Sequence, residues 1–347
     1  MDMTPWRGFA SDNYAGIHPD VLQAIERANA GHQVAYGDDD VTAALRDAVK
    51  DHFGPKAEAY PVFNGTGANV VALQAMTRRW EAVLCAASAH VNVDEGGAPE
   101  HGAGLKLWTI PAADGKLTTD LIDTQAWGFG DVHRAQPGAF TISQSTALGT
   151  VYAAHEITAI ADHAHGLAVS LHVDGARLAN AAASLGTGFR DFTTDVGVDA
   201  VSFGGTKNGI MLGEAVVVLN PAAAPGVGFL RKSSMQLASK MRFVSAQLLA
   251  LLTDGLWLRN AEHANAMARA LEQRVAAIDG VTVVRPVQAN AVFAILPPAA
   301  AERLQQQFRF YTWDQATGEV RWMCSWDTTE EDVAAFADAI ARECAAG

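Results

Sequence analysis

From residue 60 to residue 219 the chain alternates short, unbroken apolar runs with amphipathic stretches of helical period. That rhythm leaves few folds open. A strand that is apolar on both faces must be covered on both, and parallel strands need long crossovers, which helices supply. The runs 60–63, 82–86, 105–110, 139–145, 167–173, 198–203 and 214–219 predict strands, and 66–80, 118–126 and 155–165 predict helices between them. The fold class is therefore α/β, with a mainly parallel sheet in a large domain over residues 1–250. Two helices precede the sheet, at 19–30 and 41–53. Asp38, Asp39 and Asp40 stand just before the second and read as a helix cap rather than metal ligands. Beyond an apolar helix at 243–252 the rhythm stops. A helix at 258–278, strands at 281–284 and 291–296, a helix at 299–308, a hairpin turning through Gly318 and a last helix at 330–343 describe a smaller α+β domain, residues 251–347.

In parallel sheets ligands sit beyond the carboxyl ends of the strands. Two such ends carry chemistry. Asp174-Gly175-Ala176-Arg177 follows one apolar run, and Thr206-Lys207 follows the next. An acid and an amine on neighbouring strand tips suit pyridoxal 5'-phosphate (PLP). The amine joins the aldehyde, and the acid pairs with the pyridine nitrogen, so that the ring can take up carbanion electrons. Asn64-Gly65-Thr66-Gly67-Ala68-Asn69 lies between a strand and a helix, where backbone amides and the Thr66 hydroxyl can hold a phosphate. By itself it is equally a tight turn. A dinucleotide site is disfavoured, because Val70 replaces the third glycine and no acid ends the next strand.

His90, just after the second strand, is either an inert surface residue or a ring stacked on the pyridine face. His133 precedes the fourth strand and, if near the cofactor, would be a general base. Arg177 and Arg321, from different domains, could clamp a substrate carboxylate. His163 and His165 read as surface residues.

The bulk numbers remove other classes. Apolar residues make up 49% of the 347, and 25 basic against 38 acidic side chains give a net charge of −13. An acidic chain lacks the basic face that displaces counterions, so nucleic acid is not expected as a partner. No run approaches the ~18 apolar residues of a membrane span. Residues 1–6 are neither basic nor followed by an apolar core, so no signal peptide is expected. Cys85, Cys324 and Cys344 are odd in number and widely spaced, which suits reduced thiols in the cytoplasm and neither a disulfide frame nor a metal site.

These motifs, in this order, resemble the low-specificity L-threonine aldolase family of the aspartate-aminotransferase-like (fold type I) PLP enzymes. The resemblance runs over nearly the whole chain, through Phe9-Ala10-Ser11-Asp12-Asn13, Tyr36-Gly37-Asp38-Asp39, Gly65-Thr66-Gly67-Ala68-Asn69, His90 to Gly97, Asp131-Val132-His133, Asp174 to Leu178 and Ser202 to Asn208. It implies retro-aldol cleavage of L-β-hydroxy-α-amino acids to glycine and an aldehyde. The alternative is a PLP-dependent β-eliminating lyase or aminotransferase on the same fold. Lys207 would bind PLP, Asp174 the pyridine nitrogen, and Gly65 and Thr66 the phosphate. His90 would stack on the ring, and His133 would stand near the substrate β-hydroxyl. Ser11, Arg177 and Arg321 would hold the α-carboxylate. Tyr36 and Arg242 would reach a neighbouring subunit's site in a homodimer or homotetramer. Two departures bear on the substrate side chain. Gln144 to Gly149 stands where many members have an acid and Thr-His-Asn, and Asp94 stands where many have an aromatic residue or histidine.

Overall fold

The computed structural model describes residues 7–346; residues 1–6, read above for a leader, lie outside them. Two helices come first, α1 (Pro19–Ala28) and α2 (Asp40–Phe53). Asp39 caps α2, its Oδ1 accepting from the Thr42 N–H at 2.7 Å and its Oδ2 from the Thr42 hydroxyl at 2.9 Å. The acidic triplet thus opens a helix, as its position implied.

The large sheet is built from β1 (Glu58–Val62), β2 (Glu81–Ala86), β3 (Lys106–Ile110), β4 (Gln136–Ser143), β5 (Ser170–Gly175), β6 (Ala200–Gly204) and β7 (Glu214–Val218). The connecting helices are α3 (Gly65–Met76), α4 (His90–Val93), α5 (Thr119–Asp123), α6 (Ala154–Gly166) and α7 (Leu178–Leu185). The spatial order is β1-β7-β6-β5-β4-β2-β3. Every pairing from β6 to β3 is parallel, and only β7 runs against its neighbours β6 and β1. β6 and β7 are buried along their whole length, which is why their sequence is continuously apolar rather than alternating. The expected helix at 66–80 ends at Met76, where Thr77 turns to extended backbone and its hydroxyl donates to the Leu73 carbonyl.

Three helices, α8 (Val227–Ser233), α9 (Arg242–Leu252) and α10 (Leu256–Val275), lead to a second sheet. It contains β8 (Thr282–Val283), β9 (Ala291–Ile295), β10 (Tyr311–Asp314) and β11 (Glu319–Met323), all antiparallel in the order β10-β11-β9-β8. Helices α11 (Pro298–Gln305) and α12 (Glu330–Ala345) cover it. Each sheet has its own core. Helix α10 serves both, with Trp257 and Ala261 in the first and Met267, Leu271 and Val275 in the second. The N-terminal segment joins the small sheet. Phe9 bonds through its backbone to Arg309 and Met323, and its ring stacks on Phe336 at 4.1 Å. Among the described residues no helix is long and apolar enough to cross a membrane.

The tails of β5 and β6 lie unusually close together. A Cβ on Gly204 would stand 2.5 Å from the Ala176 carbonyl oxygen, and one on Gly175 would stand 2.9 Å from the Ser202 oxygen. Only glycine permits that approach, and it brings the turn after Asp174 against the turn that carries Lys207.

Candidate active site

Lys207 sits in a single 3-10 turn, Thr206–Asn208, just after β6, and Asp174 is the last residue but one of β5. Both line one cavity with Gly65, Asn69, His90, Asp94, Arg177 and Arg321. Four surface clefts are larger, the two biggest being 540 Å³ beside α1 and α9 and 600 Å³ beside the end of α3, but none of the four is lined by a lysine or a histidine. The chemistry is therefore in the smaller cavity, at the carboxyl edge of the parallel strands.

Burial lowers the pKa of the Lys207 amine, and the positive charge of Arg177 lowers it further, against upward pulls from Asp12, Asp174 and Glu214. A lowered amine is more often unprotonated and able to attack an aldehyde. Glu214 is pushed up to about 7, chiefly by burial, while its Oε2 accepts from the Gly205 N–H at 2.7 Å and so ties down the lysine turn.

A chain of side chains runs along one wall. Asn69 Nδ2 donates to Asp174 Oδ2 at 3.2 Å and to Glu95 Oε1 at 2.7 Å, and His90 Nδ1 lies 2.9 Å from that same Glu95 oxygen. An ionised carboxylate only accepts, so the proton of that last bond belongs to Nδ1 of His90. Nε2 is left as the free ring nitrogen. Glu95 is fully enclosed, and its Oε2 and the Asn69 Oδ1 are buried without a partner. Sequence reasoning quoted Asn69 and Glu95 inside motifs but gave them no role. The signal was there: Glu95 follows His90 by five residues, across the turn from a helix that is one turn long.

Arg177 caps the start of α7 and is held by Asp12, Nε to Oδ2 at 2.7 Å and Nη2 to Oδ1 at 2.9 Å. Burial raises the pKa of Asp12, but Arg177 and Lys207 outweigh it and hold the carboxyl below its usual range. Asn290 donates to the same carboxylate at 3.0 Å. Arg321, on β11, is different. Its guanidinium lies 4.4 Å above the Trp313 ring; among the described residues it bonds only the Ala10 carbonyl, at 3.4 Å, and its Nε is buried without a partner. Burial, then repulsion from Arg177, pushes its pKa down to about 10. A buried guanidinium without an anion is a receptor for one.

The remaining expectations fare unequally. Ser11 caps the short turn holding Asp12, accepting from the Asn13 N–H. Asp94 lines the cavity. Tyr36 is exposed under Lys232, and Arg242 bonds the Gly31 carbonyl; neither lines this chain's own cavity. His133 stands apart from this chain's cavity. It lies on an exposed turn before the first residue of β4, its N–H donating to Asp131. The cavity lies at the other end of that strand, at Ser143, roughly 23 Å away at 3.3 Å per residue. Standing before a parallel strand places a residue on the edge opposite the site, so His133 does not reach its own chain's cavity.

The residues fit PLP. The amine and acid flank one cavity, and α3 begins beside it. The N–H groups of Gly65 and Thr66 open that helix and have no intrahelical acceptor, while Asn64 Oδ1 takes only the Gly67 N–H, at 2.7 Å.

A model of the beta-eliminating lyase family matches residues 8–297. A low specificity L-threonine aldolase of a Pseudomonas species is 45% identical over 94% of both chains, and one from Pseudomonas aeruginosa is 44% identical over the same shares. A threonine aldolase structure from Leishmania major superposes with a TM-score of 0.90 at 30% identity, covering 96% of this chain and 98% of that one. A rice TDC solved with PLP and tryptamine, at 17% identity and a TM-score of 0.77, shares the fold. With its lysine and acid lining one cavity beside the glycine turn that opens α3, this chain belongs to the beta-eliminating lyase family of PLP-dependent enzymes, on the branch of the L-threonine aldolases.

Proposed function

We propose that the protein cleaves L-β-hydroxy-α-amino acids, threonine and allo-threonine among them, to glycine and an aldehyde, with PLP as cofactor. The observation that carries this reading is the single cavity holding Lys207, Asp174, a carboxylate-held His90 and a guanidinium without an anion, Arg321. When bound, PLP supplies the electron sink for bond cleavage. Asp174 holds the pyridine nitrogen, Lys207 carries the cofactor, and the amides of Gly65 and Thr66 hold its phosphate. Arg321 receives the substrate carboxylate, and Arg177, already paired with Asp12, sets the charge beside it. His90, its Nδ1 proton fixed by Glu95, would face the bound cofactor, and its free Nε2 would accept the β-hydroxyl proton as the Cα–Cβ bond breaks. Asp94 lies toward the β-substituent. Fixing the carboxylate on one side orients the scissile bond and selects the L configuration.

Residues 1–250 form the cofactor domain and 251–347 a smaller domain that supplies Arg321, with α10 joining them. Tyr36 and Arg242, which do not line their own cavity, complete the site of a second copy, so the working unit is a homodimer or a tetramer of two such dimers. Three free cysteines suit a cytoplasmic protein. The test is a panel of L-β-hydroxy amino acids with PLP. Glycine and aldehyde in equal amounts support the reading. A keto acid with pyridoxamine phosphate, or ammonia release from a β-leaving group, would replace it with transamination or β-elimination.

A further inference from the structure

Helix α8 ends in a turn that the reading above does not use. The N–H of Gln236 donates to the Arg231 carbonyl and that of Met235 to the Lys232 carbonyl, with Met235 left-handed at φ 62°. This pair of bonds is the Schellman stop, usually built on glycine. A methionine here, its side chain exposed, accepts that conformation at a cost, and the result is a fixed direction for the next residue.

The turn sends the Gln236 side chain to the start of α3. A Cβ on Gly67 would meet the Gln236 amide carbon at 2.3 Å, so the third residue of α3 is a glycine that the glutamine lies against. The Gln236 Oε1 accepts from the Phe63 N–H at 3.0 Å, just past the end of β1. Only an oxygen can accept there, so the two ends of the amide are told apart. Nε2 faces the other way and has no acceptor among the described residues. The neighbouring N–H groups of Gly65 and Thr66 are also free donors at this helix start.

We infer that Gln236 is a cofactor-positioning residue, its Nε2 completing with the Gly65 and Thr66 amides a neutral donor set for the phosphate of PLP. The inference rests on the placement of that phosphate at the N-terminus of α3. Phe63 holds one end of the amide and the phosphate receives the other, so the glutamine ties β1 and α8 to the cofactor. The device is neutral, which matters because two guanidinium groups, Arg177 and Arg321, already lie along the same cavity.

The full-length protein, stripped of cofactor, is titrated with PLP and separately with pyridoxal, which has the same ring and aldehyde but no phosphate. Absorbance of the lysine-bound form reports both. In the wild type PLP binds more tightly than pyridoxal. Gln236→Ala weakens PLP about tenfold and leaves pyridoxal unchanged, as loss of one hydrogen bond to a charged acceptor requires. Gln236→Glu, the same length but anionic, weakens PLP further and again spares pyridoxal. Equal losses for both ligands, or an unchanged PLP affinity in the glutamate variant, would overturn the assignment while leaving the phosphate site standing. A wild type that does not prefer PLP over pyridoxal overturns the phosphate placement itself.

Discussion

At the scale of single residues the site separates charge from position. Lys207→Ala removes the only amine in the cavity, and the absorbance of the lysine-bound cofactor is expected to vanish; a spectrum like that of the wild type would remove the assignment. Arg321→Ala takes away the guanidinium that has no anion, so KM should rise about a hundredfold with a smaller change in kcat, read by steady-state kinetics. Glu95→Gln keeps an acceptor for the His90 Nδ1 proton but deletes the buried charge beside it. A fall in kcat of roughly ten- to a hundredfold with KM little changed is expected. His133→Asn, on the opposite edge of the sheet, should leave kcat as it is. A large loss there would contradict the assignment of the proton to His90.

At the scale of elements, the approach of β5 to β6 decides whether acid and amine meet. Gly204→Ala drives a methyl into the Ala176 backbone, which cannot rotate away. The strand tips must part, and a melting temperature lowered by several degrees together with weaker PLP binding is the expected result. Beneath the site, His172 on β5 bridges Thr141 on β4 at 2.8 Å and Ser202 on β6 at 2.9 Å. Burial pushes its pKa down to about 4 from the usual 6.5. Between those values the unfolded chain binds the proton and the folded one does not, so stability is full above pH 6.5 and drains away as pH falls toward 4. The loss from this one group is roughly 3 kcal/mol. Melts of His172→Gln over pH 4 to 6.5 should show a shallower slope than those of the wild type.

At the scale of the whole molecule, the small domain and the second copy finish what the large sheet begins. Arg321 comes from β11 and Trp313 from β10, while Asn290 precedes β9 and steadies Asp12 from across the domain junction. If Arg242 serves a partner's cavity, the inactive variants Lys207→Ala and Arg242→Ala should complement when mixed. Random pairing puts half the dimers in the mixed form with one intact site of two, so about a quarter of wild-type activity should return. No recovery after subunit exchange would confine each site to one chain.

The sequence by itself determined the parallel sheet, its order of strands and helices, and the facing acid and amine, because burial on both faces writes a continuous apolar run and a strand end fixes where its next residue lies. It also held the glycine turn that opens α3 and the cap at Asp39, which are local. It did not reveal that Arg177 is spent on Asp12 while Arg321 has no anion, since those partners are 165 and over 300 residues apart or absent. It placed His90 beside the cofactor, but it did not reveal that His133 lies away from its own chain's cavity. Which edge of a sheet a loop occupies depends on the direction of the whole strand, and only the folded chain sets that direction beside a particular neighbour.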